Sequence, residues 1–166
     1  MIYTIGYQRK SLATFIGRQG ARLFYVHRGT EGAKILAGLE AYYADQIHIT
    51  AWMIGLTEAL RAYYVGDGSS TEKIAGREAV YQAARDRFEL EVLPLLSEPD
   101  RYTGWTNVPT NNAFVLLHQR YNLNLDLFAA VYANVGKDFA RLLDVLRAAA
   151  VAEDPFGFLE QAAGSP

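Results

Sequence analysis

Between residues 35 and 63, Ile35, Leu39, Tyr42, Ile49, Met53, Leu56, Leu60 and Tyr63 recur in steps of three and four, with Gln46 alone interrupting the series. Residues at that spacing share one face of a helix, so the pattern predicts one long helix or two nearly collinear ones. Tyr43, Trp52 and Tyr64 widen the apolar face beyond a coiled-coil seam. The element is therefore expected to lie against several neighbours, as the spine of the fold.

Shorter patterns flank it. Ser11 is a good N-cap, and Leu12, Phe15, Ile16, Leu23 and Val26 predict a helix from about 11 to 28, with Gly29 and Gly32 as punctuation before the long helix. GDGSST at 66–71 reads as a loop, and Ser69 with Glu72 forms a capping-box pattern. The next helix should bury Ile74, Tyr81, Ala84, Phe88 and Leu95, keep Arg77, Glu78, Arg85, Asp86 and Arg87 wet, and kink or end at Pro94. SEPDRYTGWTNVPT at 97–110 is a longer loop carrying Tyr102 and Trp105. Thr110 or Asn111 should cap a helix of residues 112–121, with Pro109 setting its approach and Leu116 and Leu117 reaching the core. Asp126, Leu127, Phe128, Val131 and Tyr132 predict a short helix closed by Gly136. Asp138 can cap the last helix, with Phe139, Leu142, Leu143 and Leu146 inward and Pro155 as its stop.

Strand-like alternation is confined to residues 2–7. The expectation is an all-α protein: one helical domain over 1–166, a multi-helix orthogonal or antiparallel bundle around one long central helix. Residues 1–10 are expected to be extended and 155–166 to fray. No internal repeat at solenoid periods and no low-complexity segment is present.

Composition narrows the function. The hydrophobic share of 51% and charged share of 20% over 166 residues suit one folded domain. A net charge of −2 with scattered arginines lacks the basic stripe of a nucleic-acid binder. No run approaches the roughly 18 apolar residues of a membrane-spanning helix, so neither nucleic acid nor membrane is an expected partner. The absence of cysteine removes disulfides, thiolate nucleophiles and cysteine-bound metals.

Candidate chemistry is sparse. The three histidines, His27, His48 and His118, include no pair at i, i+4, so the HExxH zinc motif is missing. His27 and Glu31 have suitable separation with Gly29 between them, and His48 reads as a partly buried histidine near the seam. Ser11, Ser69 and Ser70 sit at predicted caps without a GxSxG turn, GDGSST departs from GxGxxG, and Glu89 and Glu91 fall on different helical faces. The eleven tyrosines suit amphipathic rings at a core boundary.

Three stretches carry a resemblance: SLATFIGRQGARLFY at 11–25, GREAVYQAARDRFELEVLPLL at 76–96, and YTGWTNVPTNNAFVLLHQRYNLNLDLFAAVYANVGKDFARLLDVLRA at 102–148. In order they resemble the C-terminal helical part of bacterial zincin-like metallopeptidases of the predicted-aminopeptidase type. The resemblance implies that the first stretch begins beside a glutamate serving as third zinc ligand, where this chain reads Lys10-Ser11. It implies ancestry without activity: no cofactor here, although relatives hold zinc, and neither a catalytic residue nor a metal ligand. MIYTIGYQRKSLATFI is also similar to the opening strand and helix of a small α/β family of unknown function, but the chain lacks the alternating strands that fold needs.

The resemblance further implies that Asn111, Asn112 and Tyr121 line a cleft, the amides holding a peptide backbone and the phenol facing a developing oxyanion. The expected function is thus a noncatalytic helical module, or a truncated peptidase, binding a peptide or a partner protein around Trp105, Asn111, Asn112 and Tyr121. A homodimer through an exposed apolar face is expected as well. The alternative is a residual zinc aminopeptidase with an atypical site such as His27, His48 and a carboxylate. The chain as it stands reads as cytoplasmic, while relatives of that type can be exported.

Overall fold

The computed structural model describes residues 2–106 and 111–164, with side chains from Lys10 to Trp105 and from Asn111 to Gly164. Pro109 and Thr110, the expected approach and alternative cap of the helix after Trp105, lie outside the described residues. Seven α-helices occur in order among the described residues: α1 (Ile2–His27), α2 (Gly29–Val65), α3 (Ser70–Arg87), α4 (Asn112–Asn122), α5 (Leu125–Asn134), α6 (Phe139–Val151) and α7 (Pro155–Ala162). No strand occurs among the described residues, and the all-α expectation holds. No described helix is long and apolar enough to cross a membrane.

Two compact units emerge, Met1–Gly20 with Arg120–Pro166 and Ala21–Gln119. In the first, Phe15 of α1 joins Phe128, Val131, Leu142, Ala149 and Leu159 in one buried cluster. The Phe15 ring tilts against Phe128 at 6.0 Å and meets Tyr132 edge-on at 6.2 Å, both within the preferred range for aromatic pairs. Gly136 closes α5 at φ +73 as expected. Asp138 caps α6 by accepting from Ala140 and Arg141 N–H groups at 2.9 and 3.1 Å.

Two expectations here are corrected. Residues 2–10, expected to be extended, are helical and continuous with α1; once 11–27 is helical, each added residue gains a backbone bond without a new nucleus. The expected frayed tail instead forms α7 over Pro155–Ala162. Asp154 accepts from Phe156 and Gly157 N–H groups at 3.2 and 3.1 Å, Pro155 takes the first turn, where its missing donor costs nothing, and Leu159 is buried. The proline that was expected to stop a helix begins one.

The second unit is built on α2, a single helix of 37 residues. Its seam holds from Gln46 through Ile49, Met53, Leu56 and Leu60, all buried, whereas Ile35 and Tyr42 are exposed. Met53, Leu56 and Leu60 pack with Tyr81, Ala84 and Val115, and Ile49 packs with Phe88, Leu96 and Tyr102. Ser69 and Glu72 form the expected capping box at α3. Ile74 and Leu95, expected inside, are exposed, because α3 presents Tyr81 and Ala84 to the core and its end changes pitch.

That change has a visible setting. The Trp52 indole N–H donates to the Ala84 carbonyl at 2.8 Å, where α3 passes into a π-helical turn over Phe88–Val92 and then a 3₁₀ turn over Leu93–Leu95 containing Pro94. A side chain entering the backbone ladder is a known cause of such irregularity. The buried Asp45 carboxylate accepts from the Ser97 N–H at 2.7 Å, and the Gln46 amide donates to the Tyr102 hydroxyl at 3.4 Å. Two polar residues of the spine thereby fasten the segment leading to Trp105.

Candidate functional site

Within the second unit, α4 begins beside a cluster of rings. The Asn111 side-chain oxygen accepts from the Phe114 N–H at 3.0 Å, which makes Asn111 the cap of α4 and satisfies a helix-start donor. Asn112 is also exposed, but its amide is clamped. The Tyr81 hydroxyl donates to Asn112 Oδ1, and Asn112 Nδ2 donates to the Tyr64 hydroxyl at 3.4 Å. One amide from α4 is thus held by a phenol from α3 and another from α2.

The two phenols shift in opposite directions, for different reasons. Donation from Asn112, with Arg77 close by, holds the Tyr64 hydroxyl below the usual phenol range; a bond to the charged form favours that form. Burial pushes the Tyr81 hydroxyl above it. Trp105 stands half-buried next to this start, stacked on Phe88 at 5.9 Å and edge-on to Phe114 at 5.5 Å. Three of the sequence-predicted site residues, Trp105, Asn111 and Asn112, thus fall in this unit, with Phe114 linking Trp105 to Asn111.

Tyr121 belongs to the other unit. It is 39% exposed near the end of α4, and Lys10 of α1 donates to its hydroxyl at 3.1 Å with the ammonium 4.9 Å from the ring centroid. Leu116 and Leu117, expected in the core, are exposed; Val115 is the buried residue of α4. Tyr81 is buried as expected and Tyr64 was placed on the widened apolar face of the long helix, but both hydroxyls also join this polar cluster. Their signal was available only in part: an aromatic beyond the seam at Tyr64 marks a widened face, but nothing local joins it to Asn112, 48 residues on.

A zinc ion would need imidazoles and a carboxylate converging to about 2.0–2.2 Å. Where the resemblance implies a glutamate, the Lys10 ammonium engages Tyr121 and the Ser11 hydroxyl, almost wholly buried, donates to the Arg120 carbonyl at 3.3 Å. His27 ends α1, and His48 of α2 is exposed instead of partly buried. Among the described residues no group of three or more His, Asp or Glu stands close enough to hold a metal. The described side chains do not fit zinc.

Residues 6–155 match the protein family described as "Putative aminopeptidase". The chain belongs to this family. Comparison with curated proteins and with solved structures yields no match.

Proposed function

We propose that this chain is a noncatalytic helical part of a zincin-like, aminopeptidase-type protein, and that it binds a peptide or a partner protein at the start of α4. The carrying observation is the Asn112 clamp. An exposed amide normally samples several orientations; two phenols fix this one, and Nδ2 keeps a second hydrogen for a ligand carbonyl. Pre-ordering of that kind lowers the entropic cost of binding. Phe114 and Trp105 supply apolar ring edges beside it, and aromatics next to a few placed polar groups are the usual make-up of a recognition site.

The noncatalytic part of the proposal is supported by the side chains: an ammonium and a buried hydroxyl replace the expected carboxylate, and HExxH is not in the 166 residues. A partner protein is supported by Ile47 and Ile54, seven residues apart on one face of α2 and 70% and 43% exposed. Exposed apolar faces tend to mark interfaces, and a second copy of the chain is one such partner.

Titration of short peptides against the chain, followed by tryptophan emission, tests this. The emission should shift on binding, the response should vanish in Trp105→Phe, and Asn112→Ala should weaken binding about tenfold, the cost of one lost hydrogen bond and its ordering. No response to any peptide, with a monomer at high concentration that binds no hydrophobic dye, would defeat the proposal.

A further inference from the structure

The first unit places two hydrogen-bond donors side by side. Lys10 on α1 is half-buried, and Tyr121 at the end of α4 is exposed enough to be reached from solvent. The Lys10 ammonium donates to the Tyr121 oxygen at 3.1 Å. Because that oxygen accepts from Lys10, the phenolic proton is directed elsewhere, and the ammonium retains two more hydrogens. The result is a cationic N–H and an O–H about one hydrogen bond apart, able to donate in parallel to the two oxygens of one carboxylate.

The surroundings support this assignment. Among the described residues no carboxylate lies within ion-pair distance of Lys10, although seven other ion pairs are present. The framework behind the two donors is fixed: the Ser11 hydroxyl donates to the Arg120 carbonyl at 3.3 Å, and Arg18 donates to the Asn122 side-chain oxygen at 3.4 Å. The Lys10 ammonium also sits over the Tyr121 ring, an attraction that holds a lysine in place without consuming its charge. We infer that Lys10 and Tyr121 form a binding site for a carboxylate, supplied by the C-terminus or by an acidic side chain of a bound peptide. The site lies wholly in the first unit, and the inference takes from the reading above only that the ligand is a peptide.

A lysine at a helix end can also serve only to offset the terminal carbonyls, so the test must read ligand binding. Three versions of one alanine-rich peptide are titrated against the whole chain by calorimetry: free C-terminal acid, C-terminal amide, and amide with one internal glutamate. The free acid should bind at least tenfold tighter than the plain amide if the terminus is the source, and the glutamate peptide should recover the difference if a side chain is. Lys10→Gln should erase the preference and Lys10→Arg should keep it, with circular dichroism confirming the fold of both. Equal affinity for all three peptides, or an unchanged preference in Lys10→Gln, overturns the carboxylate site while leaving peptide binding intact. If no version binds, the peptide reading and this inference fall together.

Discussion

Tyr81 on α3 donates its hydroxyl proton to the side-chain oxygen of Asn112, the first residue of α4. The bond joins a ring that is 2% exposed to an amide that is exposed, so its two ends respond differently to loss. Asn112→Ala removes the acceptor of a largely buried phenol and should cost about 1–2 kcal/mol, whereas Tyr81→Phe leaves an amide that water can reach and should cost about 0.5–1 kcal/mol. Urea unfolding of both variants and the double mutant checks this; additive effects would show that the bond contributes nothing.

Tyr64, Tyr81 and Tyr102 should titrate on different sides of the ordinary phenol value near 10. Tyr64 is lowered, first by Asn112, and Tyr81 and Tyr102 are raised, first by burial. For Tyr64 the lowered native value means a stability contribution present above its unfolded value and lost as pH falls through the folded one. For Tyr81 and Tyr102 the contribution is present below the unfolded value and lost as pH rises through the folded one. Absorbance titration at alkaline pH should therefore lose a phase below the ordinary value in Tyr64→Phe and a phase above it in Tyr81→Phe and in Tyr102→Phe; the reverse assignment would contradict these environments.

Gly32 and Gly38 both lie inside α2 and should respond to alanine with opposite signs. A Cβ at Gly32 would collide with the Tyr25 carbonyl, while one at Gly38 would meet nothing within 4 Å. Alanine normally favours a helix over glycine by about 0.5–1 kcal/mol, so Gly38→Ala should raise the melting temperature. Gly32→Ala must displace the backbone at the α1–α2 turn and should cost about 1–3 kcal/mol. Stabilisation by both would refute the close approach.

The parts legible in the sequence were those fixed by local chemistry. Ser69 with Glu72, Asp138 and Gly136 marked ends that backbone donors and acceptors impose. The seam from Gln46 to Leu60 was legible because helical period and burial coincide there. Illegible parts depend on distant partners or on competing local signals. Asp45 and Gln46 find Ser97 and Tyr102 more than fifty residues on. Asp154-Pro155 can stop the helix before it or start one after it, and only the burial of Leu159 decides. Of the candidate site, the capping role of Asn111 could be read locally, whereas the Tyr64 and Tyr81 clamp on Asn112 could not.

We propose that these residues bind without hydrolysing, since among the described residues no side chains converge to hold zinc. Elemental mass spectrometry on the purified chain, after addition of zinc and exhaustive dialysis, tests it most directly. The predicted result is no retained zinc; about one equivalent held per chain would contradict the account and return the protein to metal-dependent peptidases.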